Sequence, residues 1–216
     1  MSAGGLAYGR YSTGGSDEWL TRIGDPAAPA VLLLPPLFEE LNRTRAFMAS
    51  VMRLLAAQGL CCWLPDLPGT GESERPLAEV SWKDWRQAAA AALPKPKAIV
   101  ALRGGALLDD AVEARCRWRL APAAGSAIAR DLARAGLMSE GGGGYAPSKA
   151  LLTGLSSAEL ADAAGIRTAR LATDRAEADL KLEGLPLWRR AEPQNSYELA
   201  DAAASDIMKW MRACGA

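Results

Sequence analysis

Histidine is absent from all 216 residues, and this absence does the most to bound the chemistry. Histidine is the usual general base that activates serine or cysteine, so Ser-His-Asp and Cys-His mechanisms are excluded. Histidine-dependent zinc catalysis is excluded with them, and the carboxylates show no alternative metal spacing. The expectation is that no cofactor is bound. A net charge is missing too: 25 Lys and Arg residues face 25 Asp and Glu residues. No global field draws the chain to nucleic acid or to an anionic membrane surface.

Long apolar runs are also lacking, with no window of about 18 continuous apolar residues to insert into a membrane. The opening MSAGGLAYGR carries neither a basic cap nor an apolar signal core, which points to a cytoplasmic chain. The four cysteines, at 61, 62, 116 and 214, show no CxxC spacing. Neighbours in a strand point to opposite faces, so buried thiols are expected rather than disulfides or zinc ligands.

What is present is a chain that is half apolar and long enough for one domain, residues 1–216, with a sizeable core. The run AVLLL at 30–34 is a short buried strand closed by Pro35-Pro36, which cannot donate ladder hydrogen bonds. From Thr44 to Gln58, apolar residues at helical spacing (Phe47, Val51, Leu54, Leu55) predict an amphipathic helix ended by Gly59. LCCWLPDL at 60–67 gives a second strand, which runs into the turn PGTGES. Strand, helix, strand implies a parallel pair with a right-handed crossover.

A serine-capped helix is predicted over 81–93, a buried strand over 98–102, a further helix from about Gly104, and a strand over 117–121. Between 125 and 150 the pattern weakens around four glycines at 141–144, consistent with a lid remnant or mobile excursion. A short helix over 156–165, a weak strand over 168–173 and a helix over about 198–212 complete the reading.

The stretch AIVALRGGALL at 98–108 is a strand running through a tight turn. A small-x-Ser-x-Gly turn there would present a nucleophile, but the central residue is Arg103. A guanidinium has no lone pair with which to attack an ester. It can bind a carboxylate or phosphate bidentately, beside the N–H groups of Gly104 and Gly105. Alternatively, Glu39 or Glu40 neutralises it and the pair plugs the pocket.

Taken in order, the strand ending at Pro35-Pro36, PDLPGTGES and ALRGGALL resemble the oxyanion loop, the Asp-x-x-Gly-x-Gly-x-Ser turn and the nucleophile elbow of an α/β-hydrolase. PPLFEELNRTR, LPDLPGTGES, LRGGALL, LLTGLSSAEL and PLWRRAEP are similar to hydrolase-fold proteins associated with exosortase A systems, which are found with bacterial exopolysaccharide genes. That resemblance implies a three-layer sandwich with a mostly parallel sheet and a reduced lid. It also implies a link to exopolysaccharide production or export, but no established reaction.

Glu39, Glu40, Asn42, Arg43 and Arg45 share a segment expected to border the crevice at the carboxyl ends of the strands. Arg103, Gly104, Asn42 and Arg43 are candidate ligand-binding residues. Glu39 and Glu40 are candidate bases, while Asn42 can equally be a helix N-cap. Asp174, with Glu177 and Asp179 nearby, is either a surface charge or a second partner for Arg103. Glu192, Arg189 and Arg190 occupy the region where a triad histidine would stand. Ser73 reads as a turn residue, and Trp82, Trp85, Trp188 and Trp210 as packing anchors.

Two readings of function follow. One is a binding or accessory factor without a serine triad, whose partner is an anionic small molecule or a protein. The other is a hydrolase or lyase with a carboxylate base acting on a substrate held by Arg103. A homodimer formed through apolar helix faces is a third possibility.

Overall fold

The computed structural model describes residues 5–136 and 146–215, and the glycine run at 141–144 lies outside them. One sheet of eight strands runs through the molecule: β1 (Leu6–Thr13), β2 (Ser16–Ile23), β3 (Ala30–Leu34), β4 (Cys61–Pro65), β5 (Ala98–Leu102), β6 (Cys116–Leu120), β7 (Ile166–Leu171) and β8 (Leu180–Leu182). Their spatial order is β1-β2-β4-β3-β5-β6-β7-β8. β2 pairs antiparallel with both β1 and β4, and every later pairing is parallel.

Helices α1 (Glu39–Ala57) and α5 (Tyr197–Ala213) cover one face, and α2 (Trp82–Ala92), α3 (Gly125–Arg134) and α4 (Lys149–Ser156) cover the other. This strand order between two helical layers is an α/β-hydrolase-like sandwich. Central strand β5 is buried at all five positions because it lies between layers, so its sequence is a continuous apolar run rather than an alternating one.

Several elements fall where the sequence places them. β3 and β5 match their predicted bounds, and α2 carries the predicted cap: the Ser81 hydroxyl accepts from Asp84 N–H while the Asp84 carboxylate accepts from Ser81 N–H. Ser81→Ala is expected to lower stability by about 1 kcal/mol, read as a shift in the urea midpoint without a change in slope.

Other elements differ. Helix α1 starts at Glu39 rather than Thr44, with Phe38 at its N-cap position, so Asn42 lies inside the helix and is not its cap. The acidic Glu39 and Glu40 favour this earlier start, because they sit at the positive end of the helix dipole. No α-helix follows the strand at 98–102. The chain makes two short 3-10 turns, Arg103–Leu107 and Asp109–Ala111. Paired glycines have poor helix propensity, and Asp109 is drawn inward to Arg119.

Within the described part of the 125–150 segment, α3 buries Ile128 and Leu132 and begins at Gly125, where a Cβ would lie 1.8 Å from the Leu155 carbonyl oxygen. The predicted helix at 156–165 is displaced to α4, which ends at Ser156. Leu151 and Leu155 are buried, while the ELADAA stretch offers the core only the half-buried Leu160. The β1-β2 hairpin, turned at Gly14 and Gly15 with φ of 54° and 88°, and strand β8 were not anticipated.

Cys61, Cys62 and Cys116 are buried free thiols, and burial pushes the Cys62 thiol up to about 12. Among the described residues, no helix is long and apolar enough to cross a membrane.

Candidate functional site

Arg103 stands at the bend where β5 ends, with φ of +54°. Side chains seldom adopt that left-handed conformation, which persists only where the surroundings over-determine it. Gly105 fixes one side of the bend. A Cβ there would lie 2.4 Å from the Leu34 carbonyl oxygen and 2.5 Å from that of Pro35. Gly104 fixes the other, wedged between Leu37 and Ile128. Of four non-glycine residues with positive φ among those described, three gather here: Phe38 at 56°, Arg103, and Ala121 at 46°. Such clustering is common at functional sites.

The Arg103 guanidinium meets the Glu40 carboxylate side-on. Nε lies 3.2 Å from both carboxylate oxygens and Nη2 lies 3.0 Å from Oε1, while Nη1 donates to the Ala121 carbonyl at 3.2 Å. Its carbon sits 5.1 Å from the Trp188 ring centroid, a cation–π distance. Only 13% of the Arg103 side chain and 22% of the Glu40 side chain reach solvent. Burial raises the Glu40 carboxyl above its usual range, and Arg103 opposes that shift without cancelling it.

The structure thus brings Glu40 and Arg103 together and keeps Glu39 at the rim, 4.0 Å from Arg43. Arg43 also donates to the Trp188 carbonyl, which ties α1 to the turn that carries Trp188. Arg45 faces Asp66 on another side at 3.5 Å, and Asn42 is exposed and lines neither of the two clefts described below.

Asp174 does not bond Arg103. Its carboxylate accepts from Ala176 N–H at 3.0 Å and from Arg170 at 2.9 Å, and these two groups hold it below the ordinary carboxylate range. Ser73 accepts from the N–H groups of Gly69 and Arg75, as a turn residue should. Glu192 is exposed, and Arg190 bonds Gln194.

Two clefts flank the buried Trp188. One, of about 260 Å³, is walled by Leu37, Phe38, Ile128 and Leu132, with Glu39 and Glu40 on its edge. The other, of about 240 Å³, is lined by Arg103, Thr173, Asp174, Arg175, Trp188 and Arg189, with Leu171 and Pro186 as apolar walls. The sequence carried no sign that Ala121 would supply a backbone acceptor. Trp188 looked like a packing anchor and also serves as the platform under the guanidinium. Nothing local in the sequence distinguishes Arg175 from a solvated loop charge. Among the described residues, no cluster of histidine, cysteine, aspartate and glutamate could hold a metal ion.

No protein-family model and no curated protein matches the sequence. Among solved structures, the chain is similar to an epoxide hydrolase from Vigna radiata, at 16% identity and a TM-score of 0.44 over 53% of this chain and 39% of that one. It is also similar to epoxide hydrolase I of potato (Solanum tuberosum), at 19% identity and a TM-score of 0.43 over the same shares. The aligned part spans about two fifths of the length of those hydrolases.

Proposed function

We propose that this chain is a single α/β-hydrolase-like domain that works as a cytoplasmic binding or accessory factor rather than by covalent catalysis. The observation that carries the reading is the occupant of the bend: the side chain aimed from the strained turn is a guanidinium, already forked onto Glu40. An attacking group with a lone pair is missing at that point, and so is any histidine to activate one. The similarity of PPLFEELNRTR, LRGGALL and PLWRRAEP to proteins associated with exosortase A systems supports a role in exopolysaccharide production or export.

One feature favours a second reading. The raised carboxyl of Glu40 borders an apolar cleft, as a general base for a slow hydrolase or lyase would, with Arg103 holding the substrate. The two separate in an assay with p-nitrophenyl acetate and a short acyl thioester. The expected result is no turnover above the uncatalysed background. Turnover that Arg103→Ala or Glu40→Ala abolishes would establish the enzyme.

A further inference from the structure

We propose that the cleft between Trp188 and the 172–179 loop binds the phosphate group of a phosphomonoester, an inference that rests on the binding-factor reading above. Charge comes first. Arg103 is neutralised by Glu40, and Asp174 is spent on Arg170 and the Ala176 N–H, both of its oxygens being engaged. Arg175 and Arg189, exposed on the cleft wall, have no ion pair among the described residues. The cleft therefore presents two uncompensated positive charges, which a dianion matches and a single carboxylate does not.

Geometry comes second. Both arginines stand on segments that are tied down. Arg189 ends a 3-10 turn anchored by the buried Leu187 and Trp188 and by the Arg43 bond to the Trp188 carbonyl. Arg175 lies between Asp174 and Ala176, whose carbonyls both accept from the Lys181 ammonium. On the floor, Arg103 uses three of its five N–H groups on Glu40 and Ala121, which leaves two without a partner among the described residues. Thr173 adds a hydroxyl on the wall, and a cleft of about 240 Å³ has room for a phosphate and part of the group it esterifies.

The phosphate can belong to a water-soluble metabolite or to a lipid, and the second cleft is the feature that separates these sources. Trp188 and Arg189 line both clefts, so an apolar tail attached to the phosphate has Leu37, Phe38 and Leu132 within its path.

The test is calorimetric titration of the whole chain with phenyl phosphate, monooctyl phosphate and, as a monoanionic control, benzoate. Both phosphates are expected to bind at least about tenfold more tightly than benzoate, and the double variant Arg175→Ala/Arg189→Ala to weaken them by at least about tenfold. These side chains are exposed, and circular dichroism of the variant checks that its fold is intact. Tighter binding of octyl phosphate assigns the site to a lipid phosphate, and equal or weaker binding to a soluble phosphoester. No heat from either phosphate at millimolar concentration, or unchanged affinity in the double variant, overturns the proposal. Phenol release from phenyl phosphate would leave the site standing and overturn the accessory reading instead.

Discussion

Asp109→Ala is expected to cost about 3–5 kcal/mol of stability, the largest effect of any single substitution considered. The Asp109 side chain is 0% exposed and that of Arg119 is 5%. The pair is bidentate, with Nε at 2.7 Å and Nη2 at 2.8 Å from the two carboxylate oxygens, and Nη1 donates to the Ala161 carbonyl at 2.9 Å. Deleting the carboxylate strands a buried cation that cannot shed its proton. In a domain of this size the thermal midpoint should fall on the order of 10 °C, checked by calorimetry. Replacing both partners, as in Asp109→Leu/Arg119→Met, should recover much of the loss, because the cost belongs to the unpaired charge and not to the missing attraction. A single-variant loss below about 1 kcal/mol would show that water reaches the pair.

The second large effect is expected from Arg103→Ala, at about 2–3 kcal/mol near neutral pH, below the range for a fully buried pair because Glu40 is partly solvated. Its pH dependence is more telling than its size. Burial already raises the Glu40 carboxyl in the folded protein, and without the guanidinium it rises further. The folded state of the variant then holds a proton that the unfolded state has released. Stability therefore falls as pH rises through the interval between the ordinary carboxylate range and the folded value. The deficit of Arg103→Ala relative to the parent chain should be larger at about pH 8 than at about pH 5, as measured by urea midpoints. A deficit independent of pH would mean that the arginine contributes by its packing on Trp188 alone.

The parts of this architecture that were readable in the sequence are those where one local rule dominates. AVLLL and AIVAL are uninterrupted apolar runs, and a strand buried on both faces admits little else. The α2 cap is a serine with an acid three residues on, a pattern that stands by itself. The bend at Arg103 was legible because small residues at 101 and 105 surround it, and its pairing with Glu40 was one of two outcomes foreseen for the guanidinium.

Where the sequence misled, tertiary contacts had overruled local preference. Helix α1 reaches back to Glu39 although Phe38 is a poor N-cap, since Phe38 is buried against Trp85 with ring centroids 5.2 Å apart, and α3 begins at Gly125 because nothing larger fits against the Leu155 carbonyl. The first two strands carry one local sign, the tight hairpin turn at Gly14-Gly15. The second cleft could not have been read in advance, since Arg103, Arg175 and Arg189 lie on three separate segments that only the fold assembles.

The bend itself is enforced from outside. Gly105 pressed on the Leu34 and Pro35 carbonyls, and Gly104 held between Leu37 and Ile128, confine the chain immediately after residue 103. The scaffold acts as a mould: it casts the tip of that side chain over the strand ends without regard to its chemistry. The shape of this corner and the side-chain chemistry presented at it are thus carried by different residues.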